Sequence, residues 1–190
     1  MENKVDYKSI YYPPGGMLMW IVVFLELITF GMSIIALLMS SKNNPEQFHA
    51  SSLYLNATYG AINTVFLLVS GFFMATAVRQ FKKNNTEKSL RYIYLTMLGG
   101  ILFLVLKSIE YMHKIDLGFT LGYDTFFNFY WLLTGFHVIH IVVGLVILLS
   151  LQYSIKKSTV MLEDIEAGAA FWHMCDLIWL LLFPVLYLVI

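Results

Sequence analysis

Apolar residues fall in five long blocks along the chain, at 17–39, 57–78, 92–112, 126–151 and 168–190. Each is about twenty residues or more, enough to cross roughly 30 Å of hydrocarbon at about 1.5 Å rise per residue. None shows the apolar–polar alternation of a membrane β-barrel strand. The short polar stretches between them carry Asn43, Asn44, Pro45, Asn84 and Asn85, which read as ordinary breaks between helices. The pattern predicts an all-α fold: an integral membrane five-helix bundle, one transmembrane domain over 1–190, with no space for a separate soluble domain.

Composition agrees. Of 190 residues, 59% are hydrophobic and only 13% charged, where a soluble domain carries roughly 45–50% and about 25%. The basic residues set an expected orientation. Lys4 and Lys8, then Arg79, Lys82, Lys83, Lys88 and Arg91, then Lys156 and Lys157 share one side of the membrane, against Lys42 and Lys114 on the other. The positive-inside bias therefore puts the N-terminus in the cytoplasm and the C-terminus outside. The polar N-terminal segment lacks the order of a removable signal peptide, so the first helix is expected to direct insertion. Cys175 is the only cysteine, which excludes an internal disulfide and a thiolate metal cluster. A net charge of zero suggests no affinity for nucleic acid. There is neither a nucleotide-binding loop nor a sequence repeat.

The scarce ionisable residues at membrane depth carry the remaining information, because each must face protein or water. Val22, Glu26, Thr29 and Ser33 form one stripe on the first span. Thr96, Gly100, Phe103, Lys107, Glu110 and Lys114 form another on the third. Thr134, His137, His140 or Ile141, and Gly144 share a face of the fourth, and Ala169, His173, Asp176 and Leu180 a face of the fifth. These polar seams are expected to meet inside the bundle. The second span shows only small residues, such as Gly60, Ala61, Gly71 and Ala75, and reads as a close-packing partner. At about 1.5 Å per residue Glu26 and Asp176 lie roughly 12–14 Å deep and can share a layer, with His140 at roughly 18 Å. Glu110 lies near the opposite face.

Each residue admits a structural and a chemical reading. Glu26 is either a proton-handling carboxyl or a neutral acid hydrogen-bonded to a neighbouring helix. His137 and His140 are either metal or haem ligands or bundle-lining groups that hydrogen-bond across helices; zinc needs three or four convergent ligands, and no HExxH-like cluster is present. His173 with Asp176, and Lys107 with Glu110, sit at i, i+3 and suit intrahelical pairs. An independent two-haem cytochrome needs paired axial ligands at two depths, more than these histidines supply. A transporter often shows repeated, Gly/Pro-broken helices, for which Pro184 alone is slight support.

Together these residues carry a resemblance. Gly135-Phe136-His137-Val138-Ile139-His140, closed by Gly144, precedes a final helix with Glu166-Ala167, Phe171-Trp172-His173, Asp176 and Trp179. With Gly16-Met17-Leu18-Met19-Trp20, the mid-helix Glu26 and Glu110-Tyr111, this resembles subunit III of haem–copper terminal oxidases, in its five-helix bacterial form, from about Gly15 to Ile190. The resemblance implies a non-catalytic subunit of a cytochrome c or quinol oxidase in aerobic respiratory electron transport, in the inner (plasma) membrane. It implies no cofactor in this chain, with haem and copper in the catalytic subunit I. It also implies packing against subunit I and subunit II, lipid binding, and support of proton uptake and stability. Glu26 then matches the family's buried carboxyl, His137 and His140 its helix contact, and His173 and Asp176 its final-helix pair. The longest family members have two further helices at the start, so their lipid cleft is not carried over. The relative that accompanies nitric oxide reductases shares the five-helix form and is the alternative.

Overall fold

A computed structural model of the chain describes residues 13–189. Lys4, Lys8 and Ile190 lie outside the described residues. Five helices are long and apolar enough to cross a membrane: α1 (Met17–Asn43), α3 (Ala57–Lys82), α4 (Thr86–Asp116), α5 (Thr125–Lys156) and α6 (Leu162–Pro184). There is no β-strand among the described residues. The all-α membrane bundle is therefore what the apolar blocks foretold.

The helices extend beyond the blocks into polar end turns, and three of their starts are capped by side chains. The Asn56 side chain accepts the Thr58 N–H at 2.9 Å, and Asp124 accepts that of Phe127 at 2.6 Å, each satisfying an orphan donor. Asp164 accepts the Met161 N–H at 2.9 Å, so α6 begins at Leu162, ahead of its apolar block. Beyond Pro184, Val185–Val189 form a π-helical turn. The first connection is more than a break. It holds the short helix α2 (Pro45–Ser52), opened by a proline at its first position, and Phe48 from it is buried edge-on against Phe126 at 5.8 Å.

The bundle is organised about α6, the most buried span, which packs on α3, α5 and α1. The most extensive helix contact is the α3–α4 hairpin. At its centre, a Cβ on Gly99 would stand 2.5 Å from the Ser70 Cβ and 3.0 Å from the Phe66 carbonyl oxygen. At the basic end of the bundle Gly15 takes φ +80°, and a Cβ there would come within 2.7 Å of the Ala167 backbone. Only glycine fits both demands.

Two of the four expected seams reach the interior. The α4 stripe from Thr96 to Lys114 and the α5 stripe from Thr134 to Gly144 are buried. The α1 stripe is not: α1 buries Val23, Phe30 and Leu37, while Thr29 and Ser33 donate to their own helix at the Leu25 and Thr29 carbonyls, both at 2.8 Å. Hydroxyls that bond their own backbone can face either way, as the buried Thr96 and Thr134 do from α4 and α5, so on α1 the larger apolar side chains decide the inner face. On α6, Ala169 and Asp176 are buried but His173 and Leu180 are exposed, which places that stripe along an edge. Conversely α3, read as free of a polar seam, buries Asn63 and Ser70.

Candidate functional site

The buried polar residues form separate clusters. The first lies toward the end of the bundle where α4 stops and α5 starts. Lys107 Nζ contacts Glu110 Oε2 at 3.0 Å, with both side chains almost fully buried, and donates to Tyr187 Oη at 2.7 Å and Tyr130 Oη at 3.2 Å. Those hydroxyls donate in turn to Glu110 Oε1, at 2.6 and 3.0 Å. Each charge thus has several partners, which is what a buried ion pair requires to repay its desolvation. The rings of Tyr111, Tyr130, Trp179 and Tyr187 surround the ammonium at 4.8–5.4 Å, adding cation–π attraction. The Lys114 ammonium donates to the Tyr54 carbonyl, so this cluster anchors the α2–α3 connection as well.

The second cluster joins α1 to α5. Glu26 Oε1 meets His140 Nε2 at 3.2 Å, and His140 Nδ1 lies 2.8 Å from the Phe136 carbonyl. A carbonyl only accepts, so Nδ1 carries a hydrogen. The contact at Nε2 then needs one further proton, on the imidazole or on the carboxyl, because a neutral ring and a carboxylate would face each other as two acceptors. The arrangement is chemically a one-proton site. Phe30, Phe136 and Phe171 pack around the His140 ring at 5.6, 4.8 and 6.4 Å.

His137 lies one turn earlier and faces elsewhere. Both its ring nitrogens lack a hydrogen-bond partner, and it stacks on Trp179 at 5.4 Å and meets the Phe103 edge at 5.6 Å. His173 pairs with Asp176 at 3.4 Å on the flank of α6. Glu26 and Asp176, placed in one layer by depth, are not brought together. No three His, Cys, Asp or Glu side chains gather in a way that could hold a metal ion among the described residues.

Several members of these clusters carry no clear sequence signal. Tyr130 extends the α5 stripe by one turn before Thr134 and could be found by continuing the four-residue spacing. Tyr187 could not, since the π turn after Pro184 sets its direction. On α3, Ser70 Oγ accepts the Trp172 indole N–H at 2.8 Å and Thr64 Oγ1 that of Trp179 at 3.0 Å. Two isolated hydroxyls in an apolar helix thus hold the tryptophans of α6.

These features define an integral membrane helical bundle with small, separate polar clusters between and along its helices. The family model of cytochrome c oxidase subunit III matches residues 54–189, and the chain belongs to that family. It is similar to cytochrome c oxidase subunit 3 of Synechocystis sp., 29% identical over 131 residues that cover 67% of this chain and 55% of that protein. The same subunit of Drosophila melanogaster is 31% identical over 131 residues, covering 66% and 48%. That of Thermostichus vulcanus is 26% identical over 185 residues, covering 92% and 88%. The chain spans about half the length of the first two relatives and most of the third.

Proposed function

We propose that this chain is the non-catalytic subunit III of a haem–copper terminal oxidase of aerobic respiration, seated in the inner (plasma) membrane with its N-terminus in the cytoplasm. In this reading haem and copper belong to the catalytic subunit I, and the chain packs against it and against subunit II. Its own work is to support proton uptake, bind lipid and keep the catalytic subunit stable. The observation that carries the proposal is the Glu26–His140 pair, a site for one proton held between α1 and α5 in a member of this family. A groove of about 270 Å³ beside it, lined by Phe30, Ala36, Phe129, Leu132 and Phe136, suits a phospholipid acyl chain.

The test is purification from native membranes through a tag on this chain, followed by a visible spectrum and metal analysis. The expected result is a much larger partner bearing haem and copper, and no Soret band from the chain when it is expressed alone. Stoichiometric haem on the isolated chain overturns the proposal in favour of an independent cytochrome. Recovery of a nitric oxide reductase catalytic chain reassigns the complex.

A further inference from the structure

The clusters above lie inside the bundle or at helix seams sealed by aromatic rings. His173 is placed differently. It stands eleven residues into the span Leu162–Leu188, about 17 Å from the start of α6 at about 1.5 Å per residue, and its side chain is 45% exposed. It opens onto a groove of about 360 Å³ between α3 and α6, with Gly71 and Ala75 on one side and Leu68, Phe72, Leu177 and Leu180 around it. A Cβ at Gly71 would meet the Asp176 carboxylate and push it from its place beside His173. Asp176 Oδ2 faces His173 Nδ1 at 3.4 Å, and its Oδ1 has no hydrogen-bond partner.

With Asp176 ionised, its carboxylate holds the ring proton at Nδ1. Nε2 is left with a lone pair, and the only hydrogen-bond contact of this ring among the described residues is the one through Nδ1. Hydrocarbon offers neither donor nor acceptor, so an imidazole at this depth is expected to face protein rather than acyl chains. Small residues on the facing helix are what allow two transmembrane helices to approach backbone to backbone. A second copy of this chain is a poor occupant, since a twofold contact puts this same surface on both sides and its lining side chains offer Nε2 no free donor.

We propose that the α3–α6 groove seats a transmembrane helix of the larger catalytic chain, which presents a hydrogen-bond donor (hydroxyl, amide or indole N–H) to His173 Nε2. This rests on the reading of the protein as an oxidase subunit. The groove is then the contact face of the subunit, and Gly71 and Asp176 are positioning residues that aim the imidazole at the partner.

The test uses the full chain in its native membrane, tagged, with a photo-crosslinking benzoylphenylalanine at Leu177 or Leu180. Irradiation, purification and mass spectrometry identify what the probe reaches. The expected adduct is a transmembrane segment of the co-purifying catalytic chain, within one turn of a side chain that carries a donor. His173→Gln retains the partner, whereas His173→Leu weakens its association about three- to tenfold, the range of one interhelical hydrogen bond in a membrane. If the catalytic chain co-purifies while both probes give only lipid adducts, adducts to a second copy, or a segment without a donor, the proposal is overturned and the subunit reading stands. If nothing co-purifies, both fall.

Discussion

Glu26 and His140 meet at 3.2 Å, and the pair has a defined proton count because Nδ1 is committed to the Phe136 carbonyl. Glu26→Gln replaces the exchangeable proton with a fixed amide N–H that still donates to Nε2. If the pair supports the proton uptake proposed for the subunit, the complex is expected to assemble in normal yield while its turnover at alkaline pH falls, because the amide cannot exchange a proton with His140. A pH profile of oxygen consumption that superimposes on the wild type would leave the pair a purely structural hydrogen bond. Glu26→Leu strips His140 of its partner and is expected to cost about 1–3 kcal/mol of stability, the usual penalty for an orphaned buried polar group. In the sequence Glu26 stands out as the only acid in its apolar block. Its partner was not visible there, because depth along a helix axis says nothing of rotation about that axis, and Asp176 at similar depth turns toward His173 instead.

At the scale of elements, the stripes of α4 and α5 were legible because regular three- and four-residue spacing makes one continuous face. The α1 stripe had the same spacing and yet lost the interior to Val23, Phe30 and Leu37. The α3–α4 hairpin rests on close backbone approach. Gly99→Ala sets a Cβ against the Ser70 Cβ and the Phe66 carbonyl oxygen, and a backbone oxygen cannot move aside as a side-chain tip can. It is expected to destabilise by about 1–3 kcal/mol, as overpacking of a tight contact does. Gly31→Ala meets nothing within 4 Å and is expected to be neutral or to stabilise by up to about 1 kcal/mol through helix propensity. Thermal midpoints of the two variants in the same detergent check this; equal midpoints would show that the hairpin contact is looser than described.

For the whole molecule, the proposed orientation sets the α5–α6 connection in the cytoplasm and the α4–α5 connection outside. Cys175 is buried, so single cysteines introduced at exposed loop positions can report topology. Thr120→Cys is expected to react with a membrane-impermeant maleimide on intact cells, and Ser158→Cys only after lysis. The opposite pattern inverts the orientation and moves the Glu26–His140 pair to the outer half of the membrane.

The number, type and approximate extent of the spans were written in the chain, because a bilayer imposes one length and one backbone solution on any segment that crosses it. So were the residues too costly to leave in lipid. Which of them would pair was decided only in three dimensions. Lys107 and Glu110 acquired Tyr130 and Tyr187 from two other helices, Glu26 found His140, and His137 found aromatic rings alone. Pairing depends on the rotation and tilt of each helix. Those are set by close contacts such as Gly99 on Ser70 and Gly71 on Asp176, which hydrophobic periodicity does not encode.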